Sequence, residues 1–182
     1  MNNVDLPLWR LRLKASQSKE GKLASNRWIQ LANVSKNNHP RVRTVVFRGW
    51  LDNSTMLIYT DKRSEKYIDL KSNSNIEVLW LFFKTKSQYR FKGKVCELEE
   101  NDKYWDNLLN RSKNQWFWPS PGKKIDQKNS IFSTDNTNLK PNNFSVLKLN
   151  INEVDLLKLE KPIHKRFIWK EIDNWRCIEV NP

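Results

Sequence analysis

WIQLANV at residues 28–34, SKNNHP at 35–40, RVRTVVF at 41–47 and, beyond a turn at 49–54, TMLIYT at 55–60 form the stretch that decides the fold. Valine, isoleucine and aromatic residues concentrate in the first, third and last pieces, where such side chains suit a pleated, half-buried surface. The polar piece closed by Pro40 and the stretch opened by Gly49 read as turns. Strand, turn, strand, turn, strand, with no room for a crossover helix, is an antiparallel meander rather than a parallel unit.

The pattern continues on either side. Residues 8–15 read as a short helix with Trp9, Leu13 and Leu8 on one side. Ser64 opens a second helical stretch as its N-cap, with Glu65 placed at the positive end of the dipole. Ile68 and Leu70 are expected to point inward, and residues 73–75 end the helix. Residues 76–83 make a fourth strand, whose apolar run at 78–83 suits a buried strand and is far too short to span a membrane. Residues 88–98 are the fifth. A helix over 102–111 follows, then a polar loop over 112–143 broken by Pro119, Pro121, Gly122 and Pro141. Strands at 146–149, 154–159, 166–170 and 175–180 complete the chain. Many short antiparallel strands with two or three helices give a mainly β (α+β) chain: an antiparallel barrel with a few peripheral helices, read as one domain over residues 1–182.

At 182 residues one sizeable core is attainable, and 38% hydrophobic residues with nine tryptophans exclude a disordered chain. The opening residues lack the basic-then-apolar order of a secretory signal. Cys96 and Cys177 sit in strand contexts, are expected to be buried free thiols, and form neither a disulfide framework nor a metal cluster. His39 and His164 are too few for a zinc site, so no metal is expected. These features point to the cytoplasm and away from a membrane. The 33 basic against 20 acidic residues give a net charge of +13, which attracts polyanions. The basic residues are dispersed, with no run of five, so a solvated basic surface is favoured over a dedicated nucleic-acid groove.

Motifs that carry chemistry unaided are missing. There is no Gly-x-Gly-x-x-Gly, no Walker-type phosphate loop and no Gly-x-Ser-x-Gly elbow, and four glycines cannot build a glycine-rich cradle. Glu99 and Glu100 read as a solvated strand end. Any redox chemistry must therefore come from a cofactor.

What remains is a dispersed pattern: Arg43-Thr-Val-Val-Phe-Arg48, Tyr59-Thr60, Ser64-x-Lys66 and Gln88-x-Arg90-x-x-Gly93. In this order and spacing it resembles the FMN-binding split barrel of the pyridoxamine 5′-phosphate oxidase family. That family's pattern runs Arg-x-Val-Leu-Leu-Lys, Tyr-Thr, Ser-Arg-Lys and then Arg-Gln before a strand with glycine. Trp118-Pro-Ser-Pro-Gly122 is similar to an element of the cyanobacterial and plant branch. His164-Lys-Arg166 with the later Trp175 is similar to the oxidases' Arg-Leu-His-Asp-Arg and later tryptophan. The resemblance runs from about residue 6 to 180.

The resemblance implies an antiparallel split β-barrel, flavin mononucleotide as cofactor, and a homodimer with the cofactor at the interface. It implies that Arg43 and Lys66 hold the FMN phosphate through charge-assisted hydrogen bonds. Ser64 and the N–H groups opening its helix would add to that anion site, with Thr60 as a neutral donor beside Tyr59. Thr44, Val45, Val46 and Phe47 would run along the isoalloxazine. Gln88 would come from the partner subunit, and Arg166 would approach the ring, where a cation raises the flavin's reduction potential. Arg48 and His164 would contact substrate. Arg43 and Arg48 are five apart, so an ideal strand sets them on opposite faces unless it bulges.

Departures from the family pattern bear on the substrate. Glu65 stands where an arginine is usual, Leu157 where a tryptophan is, and Pro162 replaces the arginine that opens Arg-Leu-His. The substrate-phosphate set, Tyr-x-x-x-Arg-x-x-x-Ser, has no counterpart, because Tyr104 and Arg111 are seven apart. FMN binding is thus better supported than oxidation of pyridoxamine phosphate itself. The reading that follows is an FMN-dependent oxidoreductase acting on an unidentified small molecule, a homodimer burying aromatics such as Trp80 and Phe82. Its alternative is a split barrel that holds FMN or a tetrapyrrole without turnover. A third reading, a basic nucleic-acid-binding protein, rests on the charge and on exposed tryptophans that could stack bases.

Overall fold

The computed structural model describes residues 6–125 and 139–182. Its meander is β1 (Trp28–Val34), β2 (Pro40–Trp50) and β3 (Thr55–Asp61). β1 and β2 pair antiparallel from Trp28 opposite Val46 to Val34 opposite Pro40. β4 (Asn75–Phe82), β5 (Ser87–Leu98), β6 (Phe144–Lys158), β7 (Lys165–Lys170) and β8 (Cys177–Val180) follow. The strand order is β3-β2-β1-β4-β5-β6-β7-β8, and β3 returns to pair with β6. Six strands therefore close an antiparallel barrel, which removes exposed strand edges, and β7 and β8 extend the sheet beyond the closure.

The closure is uneven. β2 pairs with β3 only through Phe47, Gly49 and Trp50, with a register shift at Arg48. Ahead of Phe47 the two strands diverge and leave a seam in the barrel wall. The interior is filled by Ile29, Leu31, Phe47, Ile58, Trp80 and Phe91 among others. A second core on the outside of β3 gathers Leu57, Trp105, Trp116, Phe144 and Val146. Because β3 lies between the two, Thr55 to Ile58 are buried on both faces.

α1 (Leu8–Glu20) covers the end where β2 passes to β3, its Trp9 ring 5.8 Å from that of Trp50. It runs five residues beyond the expected end and buries Trp9, Leu13 and Ser16 at helical spacing, while Leu8 is exposed, against expectation. α2 (Glu65–Ser72) covers the opposite end. It buries Asp69 and Leu70 and exposes Ile68, because the face one residue round meets the barrel.

Other departures have local causes. The expected helix over 102–111 is two, α3 (Asp102–Asp106) and α4 (Asn110–Lys113), since Leu109 is extended at φ −63°, ψ 143°. The expected strands at 146–149 and 154–159 are one strand, β6, with the extra residue Asn152 accommodated as a bulge opposite Lys92 and Gly93. The run 78–83 alternates: Val78, Trp80 and Phe82 point inward, while Leu81 and Phe83 are exposed. Trp80 and Phe82 are thus 1% exposed within their own chain and cannot form an intersubunit surface, contrary to expectation. Cys96, expected to be buried, is exposed because it shares the outward face of β5 with Lys92 and Lys94, and Cys177 is half-buried. In the expected loop over 112–143, residues 114–117 form a 3-10 turn that seats Trp116 in the second core, and residues 126–138 lie outside the described residues. No helix among the described residues is long and apolar enough to cross a membrane.

Candidate functional site

The barrel end under α2 gathers four of the residues singled out in the sequence. On β2, Arg43 shares the inward face of Val45 and Phe47. It donates to the Leu31 carbonyl at 3.3 Å and to the Asn33 side-chain oxygen. β3 brings Thr60 inward, with its hydroxyl 3.4 Å from that of Ser64. Lys66, on the first turn of α2, donates to the Ser64 hydroxyl at 3.3 Å. Ser64 occupies the N-cap position but makes no side-chain cap, contrary to expectation: its hydroxyl turns back to donate to the Asp61 carbonyl at 2.6 Å. The Ser64 side chain therefore caps none of the amides that open α2.

Electrostatics set this end apart. Burial lowers the Lys66 pKa from its ordinary value, and repulsion from Arg43 lowers it further, with only partial relief from Asp61. Burial likewise lowers the Arg43 pKa, offset in part by Asp69 and Glu65. Among the described residues neither cation reaches a carboxylate within 4.0 Å. Two partly desolvated cations with no directly paired carboxylate are costly by themselves and favour an anion between them. A phosphate dianion, with hydroxyls and helix amides beside it, fits that donor set. Glu65, the acidic departure from the family pattern, is exposed to solvent.

Sequence reading overlooked Arg63. Its guanidinium forks onto Asp61 at 3.0 and 2.7 Å and donates to the Trp118 carbonyl at 3.0 Å. It thereby ties the Trp118-Pro-Ser-Pro-Gly122 element to the turn ahead of α2. Burial would raise the Asp61 pKa, but hydrogen bonds from Arg63 and Asn143 overcome it and hold the carboxyl below its ordinary value. The available signal was the Asp61-x-Arg63 spacing, which suits a fork across a tight turn.

The remaining residues stand apart. Arg48 sits at the bulge of β2, yet the bulge does not bring it round to Arg43. Its guanidinium lies 4.9 Å from the Tyr59 ring centre, on the outward side where Tyr59 packs on the second core. Burial lowers the Arg48 pKa and raises that of Tyr59. Thr44 and Val46 also face outward, and Val45 inward. Gln88 lies towards the α1 end on the outer face of β5, opposite Leu81 and Leu157, and Leu157 is opposite Arg166. Arg166 does not reach freely into a pocket: Asp155 accepts from its Nε at 3.1 Å and its Nη2 at 2.7 Å, and Arg90 donates to the same carboxylate. His164 is exposed, with Nδ1 3.1 Å from the Glu160 carbonyl. No group of three His, Cys, Asp or Glu residues able to hold a metal is present among the described residues.

A six-stranded antiparallel barrel split between β2 and β3, with an anion-receptive end under a helix, defines a split-barrel protein for a phosphate-bearing cofactor. The sequence profile of the pyridoxamine 5′-phosphate oxidase FMN-binding domain matches residues 6–98. The chain belongs to this family of FMN-binding proteins. It is 30% identical over 196 aligned positions to pyridoxine/pyridoxamine 5′-phosphate oxidase 2 of Arabidopsis thaliana, covering 96% of each chain. The crystal structure of a pyridoxamine 5′-phosphate oxidase-related, FMN-binding protein from Nostoc punctiforme superposes with a TM-score of 0.87 at 27% identity. That superposition covers 98% of this chain and all of the other. PhzG from Burkholderia lata, solved with tetrahydrophenazine-1-carboxylic acid, gives a TM-score of 0.84 over 100% and 95% of the two chains. At 17% identity it attests the fold alone. The protein is thus an FMN-binding relative of the flavin-dependent oxidases.

Proposed function

We propose that the protein is an FMN-dependent oxidoreductase whose Arg43, Thr60, Ser64 and Lys66 hold the FMN phosphate. The observation that carries this reading is the Arg43–Lys66 pair, two half-buried cations that reach no carboxylate within 4.0 Å among the described residues and lie with a pair of hydroxyls at one barrel end. Bound FMN supplies hydride acceptance at its ring and reoxidation by a second substrate; the chain supplies binding, orientation and field. The seam between β2 and β3 places main-chain groups of Thr44, Val45 and Val46 where no β3 partner covers them, which suits the polar edge of a flat ring. Tyr59, with Arg48 stacked on it, forms the outer wall, and Arg48 is the cation nearest to serve a substrate anion.

Gln88 and Arg166 lie away from the phosphate end in one chain, so their cofactor role requires a homodimer in which the partner subunit presents them. Exposed Trp28, Leu81 and Phe83 on the barrel's outer wall supply apolar surface for that association. Unpaired Cys96 and Cys177 support a reducing, cytoplasmic setting. The substrate is a small molecule, with His164 as a contact. A flavin carrier without turnover is the second reading, favoured by the engagement of Arg166 with Asp155. Nucleic-acid binding is disfavoured, since among the described residues Trp28 and Trp118 are the only tryptophans counted with the exposed large hydrophobic side chains.

The test is an absorbance scan of purified protein before and after FMN addition and desalting. Flavin bands at about one per subunit in the wild type, absent in an Arg43→Ala, Lys66→Ala double variant, support the assignment. Equal retention by the double variant would overturn it. Turnover against candidate amines and alcohols with oxygen as acceptor then separates oxidoreductase from carrier.

A further inference from the structure

The barrel end under α1, opposite the Arg43–Lys66 end, holds a cavity of about 510 Å³. That is within the roughly 300–1,000 Å³ of small-ligand sites. α1 contributes Arg12 and Lys19 to its wall, the β4–β5 turn Lys84, the end of β6 Lys158 and the start of β7 Lys165. Glu160 is the one acidic residue on the wall; it pairs with Lys158 and lies 3.8 Å from Lys165. Five cations less one carboxylate leave an excess of four positive charges around one concavity.

Apart from the pairing of Lys158 and Lys165 with Glu160, these cations make no ion pair among the described residues. Lys84 Nζ donates to the Glu20 carbonyl at 3.3 Å, and Arg12 lies 4.2 Å from the Phe167 ring centre. Lys19 forms no ion pair among the described residues. Neutral donors converge on the same place: the Thr85 hydroxyl oxygen is buried without a partner, and the Ser16 and Tyr89 hydroxyls meet at 3.2 Å in the floor. The walls are fixed before any ligand arrives. The Lys84 amide donates to the Glu20 carboxylate at 2.6 Å, and the Leu159 amide donates to the Lys86 carbonyl at 2.9 Å, locking both turns to each other and to α1. Like charges gathered around a cavity repel unless an anion sits among them.

We propose that this cavity is a second binding site, separate from the FMN phosphate end, for a small polyanion carrying at least two phosphate groups. A diphosphate matches both the excess charge and the spread of the cations over a helix and two turns. A polynucleotide fits less well, because the site is a concavity rather than a groove and no exposed tryptophan lines it.

The experiment is calorimetric titration of the full chain, in saturating FMN and low salt, with inorganic pyrophosphate. Binding at one per chain is expected with FMN present. Lys84→Gln, Lys165→Gln should weaken it by roughly tenfold or more, the scale of losing charge-assisted phosphate contacts. The flavin absorbance of that variant should be unchanged, which also shows that it is folded. Glu160→Gln should tighten binding. The proposal is overturned if pyrophosphate fails to bind, if FMN abolishes its binding, if the lysine variant binds equally well, or if an oligonucleotide binds and pyrophosphate does not.

Discussion

Burial and then the neighbouring Arg43 guanidinium depress the pKa of the Lys66 ammonium at the α2 end of the barrel, and Arg43 is itself partly desolvated. This arrangement works against the empty protein and for an anion. Lys66→Met should therefore weaken FMN by about 1.5–3 kcal/mol, the usual worth of a hydrogen bond to a charged group. The same variant should leave the FMN-free protein as stable as the wild type or more so. The folded pKa of Lys66 lies below its unfolded value, so the folded state sheds the proton first. Its penalty is full at pH values below the folded pKa and fades as pH rises toward the ordinary 10.5. Thermal melts of wild type and Lys66→Met without FMN should converge over that interval, and flavin fluorescence titration reports the affinity. A variant that binds FMN like the wild type would remove Lys66 from the phosphate site.

Glu97 sits where α2 meets β5 and β6, and four donors surround it. Lys62 approaches at 2.8 Å, Lys71 at 3.3 Å, the Tyr67 hydroxyl at 2.6 Å and the Ser145 hydroxyl at 2.8 Å. Burial would raise its pKa, but these hydrogen bonds hold it at about 2. Its contribution is complete above the ordinary carboxylate value of 4.5 and is lost as pH falls toward about 2. Glu97→Gln should cost about 1–2 kcal/mol at pH 7, discounted because both lysines are substantially solvated. Urea unfolding at pH 7 and pH 3 checks this: the gap between wild type and variant should shrink at the lower pH.

Gly93 is required by the bulge of β6. A Cβ at this position would lie 2.0 Å from the Asn150 carbonyl oxygen, a backbone atom held in the ladder that cannot swing aside. Gly93→Ala should cost on the order of 2–4 kcal/mol through forced backbone displacement. The measurement is chemical denaturation of Gly93→Ala beside Gly122→Ala. At Gly122 an added Cβ meets no atom within 4 Å, so any cost there comes from its positive φ of 76° alone. Equal losses at the two positions would refute the close-approach argument.

The barrel was legible because its strands are rich in β-branched and aromatic residues and separated by turns, and β1 begins and ends where the sequence places it. What escaped depends on partners distant in sequence. The polar Asn150-Ile-Asn-Glu153 reads as a break, yet pairing with β5 and a bulge carry β6 through it. Trp80 and Phe82 were correctly apolar, but which side of β4 faces inward is settled by closure of the barrel. At the α2 end, the spacing of Arg43, Thr60, Ser64 and Lys66 singled out residues that the topology of β2, β3 and α2 does bring together. The engagement of Arg166 by Asp155 and the fork of Arg63 on Asp61 were not, since a cation's local partner leaves little trace in an isolated sequence.

Asp155 joins three adjacent strands. Its carboxylate, 4% exposed, accepts from Arg90 of β5 and Arg166 of β7 while belonging to β6 itself. Burial would raise its pKa, but the two guanidiniums prevail and lower it. Asp155→Asn removes the charge and leaves two cations competing for one amide oxygen, so a loss of about 2–4 kcal/mol is expected at pH 7. The loss should diminish as pH falls below the ordinary carboxylate value of 3.8, because the folded pKa is depressed and the wild type also forfeits the pair there. The effect should be regional. β7 and β8 lie outside the barrel closure and join its ladder through β6, so their amides should exchange faster in the variant while those of β1 and β2 remain protected. Adding Arg166→Met to Asp155→Asn should recover part of the stability by removing the unpaired cation, and a double-mutant cycle gives the coupling. Additive losses with uniform exchange would mean that the three strands are held by their ladders alone.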